Sequence, residues 1–512
     1  YTLSLHDALP ILKRQVKNHI RWSGNNEISM QEAQMRTFSN FAWMFLRTEG
    51  DYNFSSGSRG RGNLSSTANP YFLFPQIYNF RYNIYSSEWP VANRAIELYL
   101  QKKSENEGWE RQINGLSNNE KANLLLEKHT FKELLADVEQ RNLQNNIVGL
   151  EASRLFARSE INMGVDAFRD SLYAMLKRNT FLNIKFENML DTLGEMSRTD
   201  LYSYLKEWEQ LTPLPFYSIG EPELTKVVNK GGEEFFVLKV LVSNNSDYDG
   251  IIQMNVLQNG WWYQPMEDPR ARKKVEIAAH TSKEFVSVWE EQIRDVEINT
   301  MVSGNLPYMI RQSIGNVKQE RNKIVKDTIY TLPESSLEMP GEVIVDNEDS
   351  TLFVLSTPAV VGLLPKWLDK VEDTSFKYSG ISWWRAPLQW TATTNAKYYG
   401  KYIRSAYVIK SGDGSQTATW KIPVPEAGQY ELYYHVFKDD ELRWNDRLQG
   451  EYHFRVAYDS EMEDAYINLR KANEGWEQLG TYYFSADTVR VMLTDECKLR
   501  SVTADAVKIV KR

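Results

Sequence analysis

Residues 186–215, FENMLDTLGEMSRTDLYSYLKEWEQLTPLP, close a helical stretch that begins near Asn145 and decides how the rest of the chain is interpreted. Apolar residues recur there at intervals of three and four, at Phe186, Met189, Leu190 and Leu193. This spacing places one apolar stripe on one face of a helix. After Pro215 the period of apolar residues changes to two. The stretch therefore predicts a boundary between helical and β structure.

Two neighbouring segments carry the same helical spacing. Their apolar residues are Phe168, Leu172, Met175 and Leu176 in one segment, and Leu201, Tyr204, Leu205 and Trp208 in the other. Asp166 and Thr199 precede two of the stripes, and Ser117 precedes an earlier helical segment, so we expect these side chains to cap exposed amides. Short amphipathic helices bury their stripes only against each other or a larger helical body. A structural helical layer is expected.

Length, charge and cysteine content limit the class of protein. A chain of 512 residues is long enough for about three domains, and its 42% hydrophobic content supports packed cores. The net charge of -8, without a basic stripe, argues against nucleic-acid binding. The sequence has no apolar run long enough to predict a transmembrane helix. Cys497 is the only cysteine, which excludes an internal disulfide and a thiolate zinc cluster.

Strand patterns fill the chain after Pro215. Alternating apolar residues bounded by Asn, Asp and Gly predict strands at 234–242, 251–256, 274–278, 284–289 and 295–302. These strands predict a small β-sandwich, and the charged stretch 316–332 is expected to link or edge it. From Gly341 a second series begins, with strands predicted at 416–420, 428–434, 452–456, 480–484, 488–493 and 506–510.

The predicted fold class is a multidomain α + β chain, in which an N-terminal α-helical domain precedes two antiparallel β-sandwich domains. Its predicted boundaries are 12–218 for the helical domain, 219–340 for the first sandwich and 341–512 for the second. Residues 1–11, YTLSLHDALPI, resemble a translated sequencing adapter and are set apart as an artefactual scar. The chain is therefore expected to be a fragment cut at its N-terminus.

The C-terminal segment carries a specific resemblance. Gly475-Trp-Glu-Gln-Leu-Gly480, Gly428-Gln-Tyr430 and Thr503-Ala-Asp-Ala-Val507 resemble the golvesin C-terminal-like module, also called the xanthan-lyase carbohydrate-binding-like domain. The resemblance covers Val345–Lys511, apart from an apparent insertion around residues 366–378. It implies a polysaccharide or cell-surface glycan as partner, and an extracellular, periplasmic or cell-surface location in a bacterium.

Aromatic residues near the start of this module are candidates for sugar contact, since sugar-binding modules offer aromatic faces to sugar rings. They are Trp383, Trp384, Trp390, Tyr398 and Tyr399. For Trp383 and Trp384, core packing and sugar contact are equally expected. Core packing is favoured for Trp420 and Trp476, and His435 and His453 are expected to be hydrogen-bonded structural residues.

The helical stretch carries a second resemblance. Gly149-Leu-Glu-Ala-Ser-Arg-Leu-Phe156, Asp166-Ala-Phe168 and Asp200-Leu201 through Trp208 resemble the closing helices of aminopeptidase N type (gluzincin) zinc metallopeptidases. The resemblance implies a peptide substrate and a zinc ion. However, the family's transition-state tyrosine would fall at Asn146, and its lysine at Val148. These departures weigh against peptidase activity.

The zinc motif of that family is missing. His-Glu-x-x-His places two imidazoles on one metal and a general base beside it, but none of the six histidines is followed by Glu. Glu27 and Glu32 occupy the motif's central position in two degenerate registers, and Glu49 approximates the third ligand. Because Asn, Gln and Met replace the histidines, these residues would hold zinc poorly. Coincidence and a decayed site explain them equally well.

Two functional hypotheses remain open. In the first, the chain is a fragment of a secreted or surface metallopeptidase-like protein with a C-terminal binding module. It then has no cofactor of its own, and zinc belongs to a helix upstream of the break. In the alternative, the chain is a non-catalytic glycan-binding or cell-surface interaction protein, a pseudoenzyme whose helices act as a scaffold. Enzymatic activity is left undecided.

Overall fold

The computed structural model describes residues 16, 29–31, 33–35, 82–100, 107–179, 182–211, 213–228, 231–257, 268–315, 317–321, 325–335, 337, 341–356, 376–381, 386–438, 450–459 and 461–512. These residues fall into two compact units. The first comprises the described residues within 1–104 and 169–193, and the second those within 105–168 and 194–512.

The helices of the described residues are α1 (Ala92–Leu100), α2 (Glu107–Asn114), α3 (Asn118–Leu126), α4 (Phe131–Ala136), α5 (Gln144–Met163), α6 (Val165–Arg178), α7 (Phe186–Ser197) and α8 (Leu201–Lys206). The predicted apolar stripes are largely buried in them. Phe168, Leu172, Phe186 and Leu193 are each 0% exposed. In the first unit, strand β1 (Tyr82–Tyr85) pairs in parallel with β2 (Leu182–Lys185).

The observed helix starts and caps lie within one residue of the predicted positions. Ser117 caps α3 as predicted, because its hydroxyl accepts from the Glu120 amide while the Glu120 carboxylate accepts from the Ser117 amide. The prediction for Thr199 was wrong, since Asp200 accepts from the Ser203 amide and caps α8. The prediction for Asp166 was also wrong. The helix starts one residue earlier, so Asp166 lies inside its first turn.

The middle strands form two sheets packed on an apolar core. They are β3 (Tyr217–Ile219), β4 (Glu223–Val228), β5 (Glu234–Asn244), β6 (Gly250–Leu257), β7 (Arg272–Ile277), β8 (Thr281–Trp289), β9 (Asp295–Asn299), β10 (Met309–Ser313), β11 (Val317–Arg321) and β12 (Thr328–Pro333). One sheet has the order β10-β9-β6-β7, and the other has the order β11-β4-β5-β8-β12, with β3 beside β5.

The charged stretch 316–332 was predicted to link the first sandwich or to lie at its edge. Strands β11 and β12, which come from this stretch, are the two edge strands of the larger sheet. Strand β12 pairs antiparallel with β8, whereas β11 pairs parallel with β4. This parallel pair departs from the purely antiparallel sandwich that was predicted. The core between the two sheets includes Tyr217, Leu238 and Trp289.

The C-terminal strands are β13 (Glu342–Val345), β14 (Phe353–Leu355), β15 (Thr391–Thr394), β16 (Ser405–Lys410), β17 (Thr417–Pro423), β18 (Gly428–Val436), β19 (Glu451–Tyr458), β20 (Glu461–Asn468), β21 (Gly475–Phe484), β22 (Thr488–Thr494), β23 (Ser501–Ala504) and β24 (Val507–Lys511). They form sheets of order β13-β24-β18-β21, β14-β17-β22-β19-β20 and β15-β16-β23. Trp420 is 0% exposed in their common core, as expected.

Within the second unit, α5 packs against β7 through charged pairs. Arg158 donates to the Glu276 carboxylate at 3.0 and 2.8 Å, and Lys274 donates to Glu160. The coarse fold prediction is confirmed, because the described residues are mostly β, arranged in several sheets, with helices preceding them. The boundaries at 218 and 340 stay a prediction. No helix among the described residues has the length and apolar character needed to cross a bilayer.

Candidate functional site

One surface of the C-terminal sheets gathers aromatic and charged side chains. On β18 the residues Tyr430, Leu432, Tyr434 and Val436 are buried, so the alternate residues Tyr433 and His435 lie on the outer face of the β13-β24-β18-β21 sheet. Residue His435 lies directly opposite Trp476 of β21 in the strand register. The sheet thus places an imidazole and an indole side by side.

Trp476 is the centre of this cluster. Its ring centroid lies 5.2 Å from that of His435, at an interplanar angle of 78°. The ring of Tyr399 lies 5.0 Å from Trp476 and 5.8 Å from His435. All three side chains are half-buried. We call this surface the Trp476 face and define it by Trp476, His435, Tyr399, Tyr433 and Lys508.

Lys508 gives the Trp476 face a cation. Its Nζ lies 4.9 Å from the Trp476 ring centroid and 5.4 Å from that of Tyr433. The same Nζ donates to Glu342 Oε1 at 2.8 Å, so its charge is balanced within the sheet. The Tyr433 hydroxyl donates to Glu431 Oε2 at 2.6 Å, and this hydrogen bond raises the pKa of Tyr433. The polar groups around the indole are therefore held in place.

A buried carboxylate lies beneath the face. Asp505 is 0% exposed, and its Oδ2 lies 2.8 Å from His435 Nδ1. The Tyr399 amide donates to both carboxylate oxygens, at 3.1 and 3.2 Å. Burial raises the pKa of Asp505, while the neighbouring His435 lowers it. Asp505 thus joins two elements of the Trp476 face that are far apart in sequence.

Gly400 makes possible the turn that carries Tyr399. Gly400 has a φ of 155°, and a Cβ atom there would lie 1.9 Å from the Ile403 carbonyl oxygen. Glycine is therefore required for the chain to double back. Arg404 then closes the turn, since its Nη1 donates to the Ala396 carbonyl at 2.8 Å. Burial lowers the pKa of Arg404 to about 10.

The structure brings one of the predicted aromatic candidates, Tyr399, into this cluster. Trp390 is half-buried against the apolar core of the C-terminal sheets. Tyr398 is 6% exposed and meets Phe437 edge to face at 4.7 Å, so its ring is covered by protein. Trp383 and Trp384 lie outside the described residues, and so do Glu27, Glu32 and Glu49.

Sequence reasoning missed Trp476, for which core packing was favoured. The strand register changes between Leu432 and Tyr433 of β18, opposite β21. Such an irregularity shifts which residues of the partner strand face outwards, and the sequence of β21 alone does not show it. His435 and His453 are hydrogen-bonded, as predicted.

No metal centre is evident in the part of the chain that the structure describes. There, no group of three or more His, Cys, Asp or Glu side chains has an arrangement that could hold a metal ion. The zinc expected for a longer protein is untested by this observation, because the zinc-motif candidates lie outside the described residues.

Comparison with known proteins finds a family model that matches one segment of the chain. Residues 384–511 match the model of the Golvesin C-terminal domain, which confirms the golvesin-like resemblance over those residues. No curated protein matches the chain. The resemblance to aminopeptidase N type enzymes has no support from these comparisons and stays a prediction.

Three solved structures with local similarity are remote from this chain. A Podospora anserina GH26-CBM35 β-(1,4)-mannanase is 11% identical with a TM-score of 0.18, covering 34% of this chain and 28% of the mannanase. The CBM35 from Cellvibrio japonicus Abf62 is 12% identical with a TM-score of 0.17, covering 25% of this chain and 83% of that module. A Bacteroides uniformis β-glucuronidase 2 is 12% identical with a TM-score of 0.18, covering 61% of this chain and 31% of the enzyme.

Proposed function

We propose that this chain binds a polysaccharide or cell-surface glycan through the Trp476 face, with the helices acting as a scaffold. The observation that carries the proposal is the half-buried indole of Trp476, which lies beside two further rings and a cation. An aromatic ring of this kind offers a large apolar area to the apolar face of a sugar ring. Charged groups next to the indole provide hydrogen-bond partners for the sugar hydroxyls.

Rigidity supports the same proposal. Tyr399 and His435 are both held by Asp505, and Trp476 belongs to a paired strand. A surface that is already ordered loses little conformational entropy when a ligand binds. A flexible, strongly hydrated polymer loses conformational entropy of its own when it binds. A rigid protein surface therefore keeps the total entropy loss small.

The family match of residues 384–511 supports the ligand class and the cellular location. The resemblance to the xanthan-lyase carbohydrate-binding-like domain implies a glycan, so we extend it to this chain as part of the proposal. A secreted or surface location follows from the same resemblance. A peptide substrate has no corresponding support.

Affinity electrophoresis of the full chain tests the proposal. The chain is run through native gels that contain xylan, glucomannan or polygalacturonate, and is also incubated with insoluble cellulose. We expect retardation by at least one polysaccharide, and we expect Trp476→Ala to remove it. The matched control is Tyr483→Ala, since Tyr483 lies on the same strand and is 65% exposed outside the face. Equal retardation of the wild type and Trp476→Ala would refute the proposal.

A further inference from the structure

The hydrogen bonds around Asp505 constrain the tautomer that a neutral His435 adopts. The Tyr399 amide is an obligatory donor, and it points at both oxygens of the Asp505 carboxyl group. An ionised carboxylate only accepts hydrogen bonds. With Asp505 ionised, the third neighbour of this carboxylate, His435 Nδ1 at 2.8 Å, is the donor.

The other ring nitrogen then becomes the chemically important one. In a neutral imidazole one nitrogen donates and the other accepts, so a protonated Nδ1 leaves Nε2 as an acceptor. Nε2 lies at the ring edge away from Asp505, and it has no hydrogen-bond partner among the described residues. The imidazole ring lies beside the rings of both Tyr399 and Trp476.

We infer that Asp505 holds His435 in the Nδ1–H tautomer, and that Nε2 accepts a hydrogen bond from a hydroxyl group of a glycan stacked on Trp476. His435 is thus a specificity-determining residue and Asp505 a positioning residue. This inference rests on the proposed glycan-binding function and narrows its ligand class.

The ligand class follows from the charges of the face. An acceptor nitrogen stabilises a hydroxyl donor but repels the oxygens of a carboxylate. Lys508, whose Nζ lies 4.9 Å from the Trp476 ring centroid, already donates to Glu342 at 2.8 Å, so it offers no unbalanced charge to an acidic sugar. The Trp476 face therefore favours neutral glycans over polyuronates.

Nitrogen NMR of the ¹⁵N-histidine-labelled full chain, without ligand, tests the tautomer. The chain has six histidines, so His435→Gln identifies the His435 resonances by their loss. We expect a protonated Nδ1 and an unprotonated Nε2, as the hydrogen bonds around Asp505 predict. A protonated Nε2, in either the other tautomer or the imidazolium ion, would overturn the inference. Asp505→Asn is expected to change the tautomer signature while leaving the other histidine resonances in place.

Affinity gels test the ligand class. We expect retardation by xylan or glucomannan and none by polygalacturonate. His435→Gln and Asp505→Asn should weaken the retention about three- to tenfold, the usual value of one hydrogen bond. If polygalacturonate binds as tightly as the neutral polymers, and does so through Trp476, the inference fails while the proposed function stands. If no polysaccharide binds, the proposed function fails, and the ligand class fails with it; the NMR result then decides the tautomer alone.

Discussion

The Asp505 carboxylate lies 2.8 Å from Nδ1 of His435, although the two residues are 70 positions apart in the sequence. Asp505 is completely buried, whereas the imidazole reaches the outer face of the sheet. The pair therefore connects the interior of the C-terminal sheets to the Trp476 face.

Removal of this buried partner should destabilise the chain. In Asp505→Ala, the Tyr399 amide and His435 Nδ1 lose their acceptor, and breaking such a buried pair costs about 3–5 kcal/mol. The urea midpoint for unfolding of the C-terminal sheets, followed by tryptophan fluorescence, should fall accordingly. Asp191→Asn, at an exposed helical position, is the control and should leave the midpoint unchanged. If the urea midpoint of Asp505→Ala shifted no more than that of Asp191→Asn, Asp505 would not stabilise the C-terminal sheets.

Glu97 predicts a pH dependence of stability in the first unit. It is 7% exposed, and burial raises its pKa to about 7, although Arg94 lies 3.2 Å away. A carboxyl group whose pKa is raised by folding binds more protons in the folded state, so its stabilising contribution is complete below the unfolded pKa. Stability should therefore fall as the pH rises from about 4.5 to 7, by up to ~3 kcal/mol.

The measurement for Glu97 is the free energy of unfolding of the first unit at a series of pH values. Glu97→Gln should flatten the dependence in that window, because its side chain does not titrate. Glu88→Gln, which changes an exposed carboxyl group, should retain it. An unchanged slope in Glu97→Gln would show that other groups cause the dependence.

The buried pair of Lys274 and Glu160 should stabilise the contact between α5 and β7. The two side chains are only 6% and 1% exposed. Lys274→Met leaves a buried carboxylate without this partner and should cost about 3 kcal/mol. The double variant Lys274→Met, Glu160→Leu removes both charges and should recover most of the loss. Thermal unfolding of the wild type and both variants checks this expectation, and a double variant no more stable than Lys274→Met would contradict it.

Gly412 should tolerate no side chain. A Cβ atom there would lie 2.1 Å from Asp495 Oδ2, and Asp495 is 2% exposed. Its Oδ1 accepts from the amides of Gly414 and Gln416, at 2.8 and 3.2 Å. Gly412→Ala must displace this carboxylate and should cost about 1–3 kcal/mol. The control Gly315→Ala has no neighbouring atom within 4 Å, and equal melting temperatures for both variants would refute the packing argument.

Local patterns predicted helices α6 to α8 and strands β5 to β9, among others. The period of three to four residues around Leu190 and the period of two around Val237 depend on neighbours in the sequence, so helices and strands could be recognised directly. The cap at Asp200 was missed by one residue, because two adjacent polar residues can each cap the start of the same helix.

The candidate site depended on contacts that the sequence does not show. Asp505, in the motif Thr503-Ala-Asp-Ala-Val507, gives no sign of its partner His435, since their meeting requires β18 and β24 to pair. Trp476 was expected in the core, because the register shift opposite β21 is a property of two strands together. The sequence pattern does not distinguish Tyr398 from Tyr399, yet Tyr399 packs beside Trp476 whereas Tyr398 packs against Phe437.

Glycan binding through the Trp476 face is tested by comparing wild type, Trp476→Ala and Tyr483→Ala in polysaccharide gels. We expect the same neutral polysaccharide to retard wild type and Tyr483→Ala, while folded Trp476→Ala migrates as it does in a gel without polymer. Retardation of Trp476→Ala equal to that of the wild type, or migration of the wild type unaffected by every polymer, would contradict it.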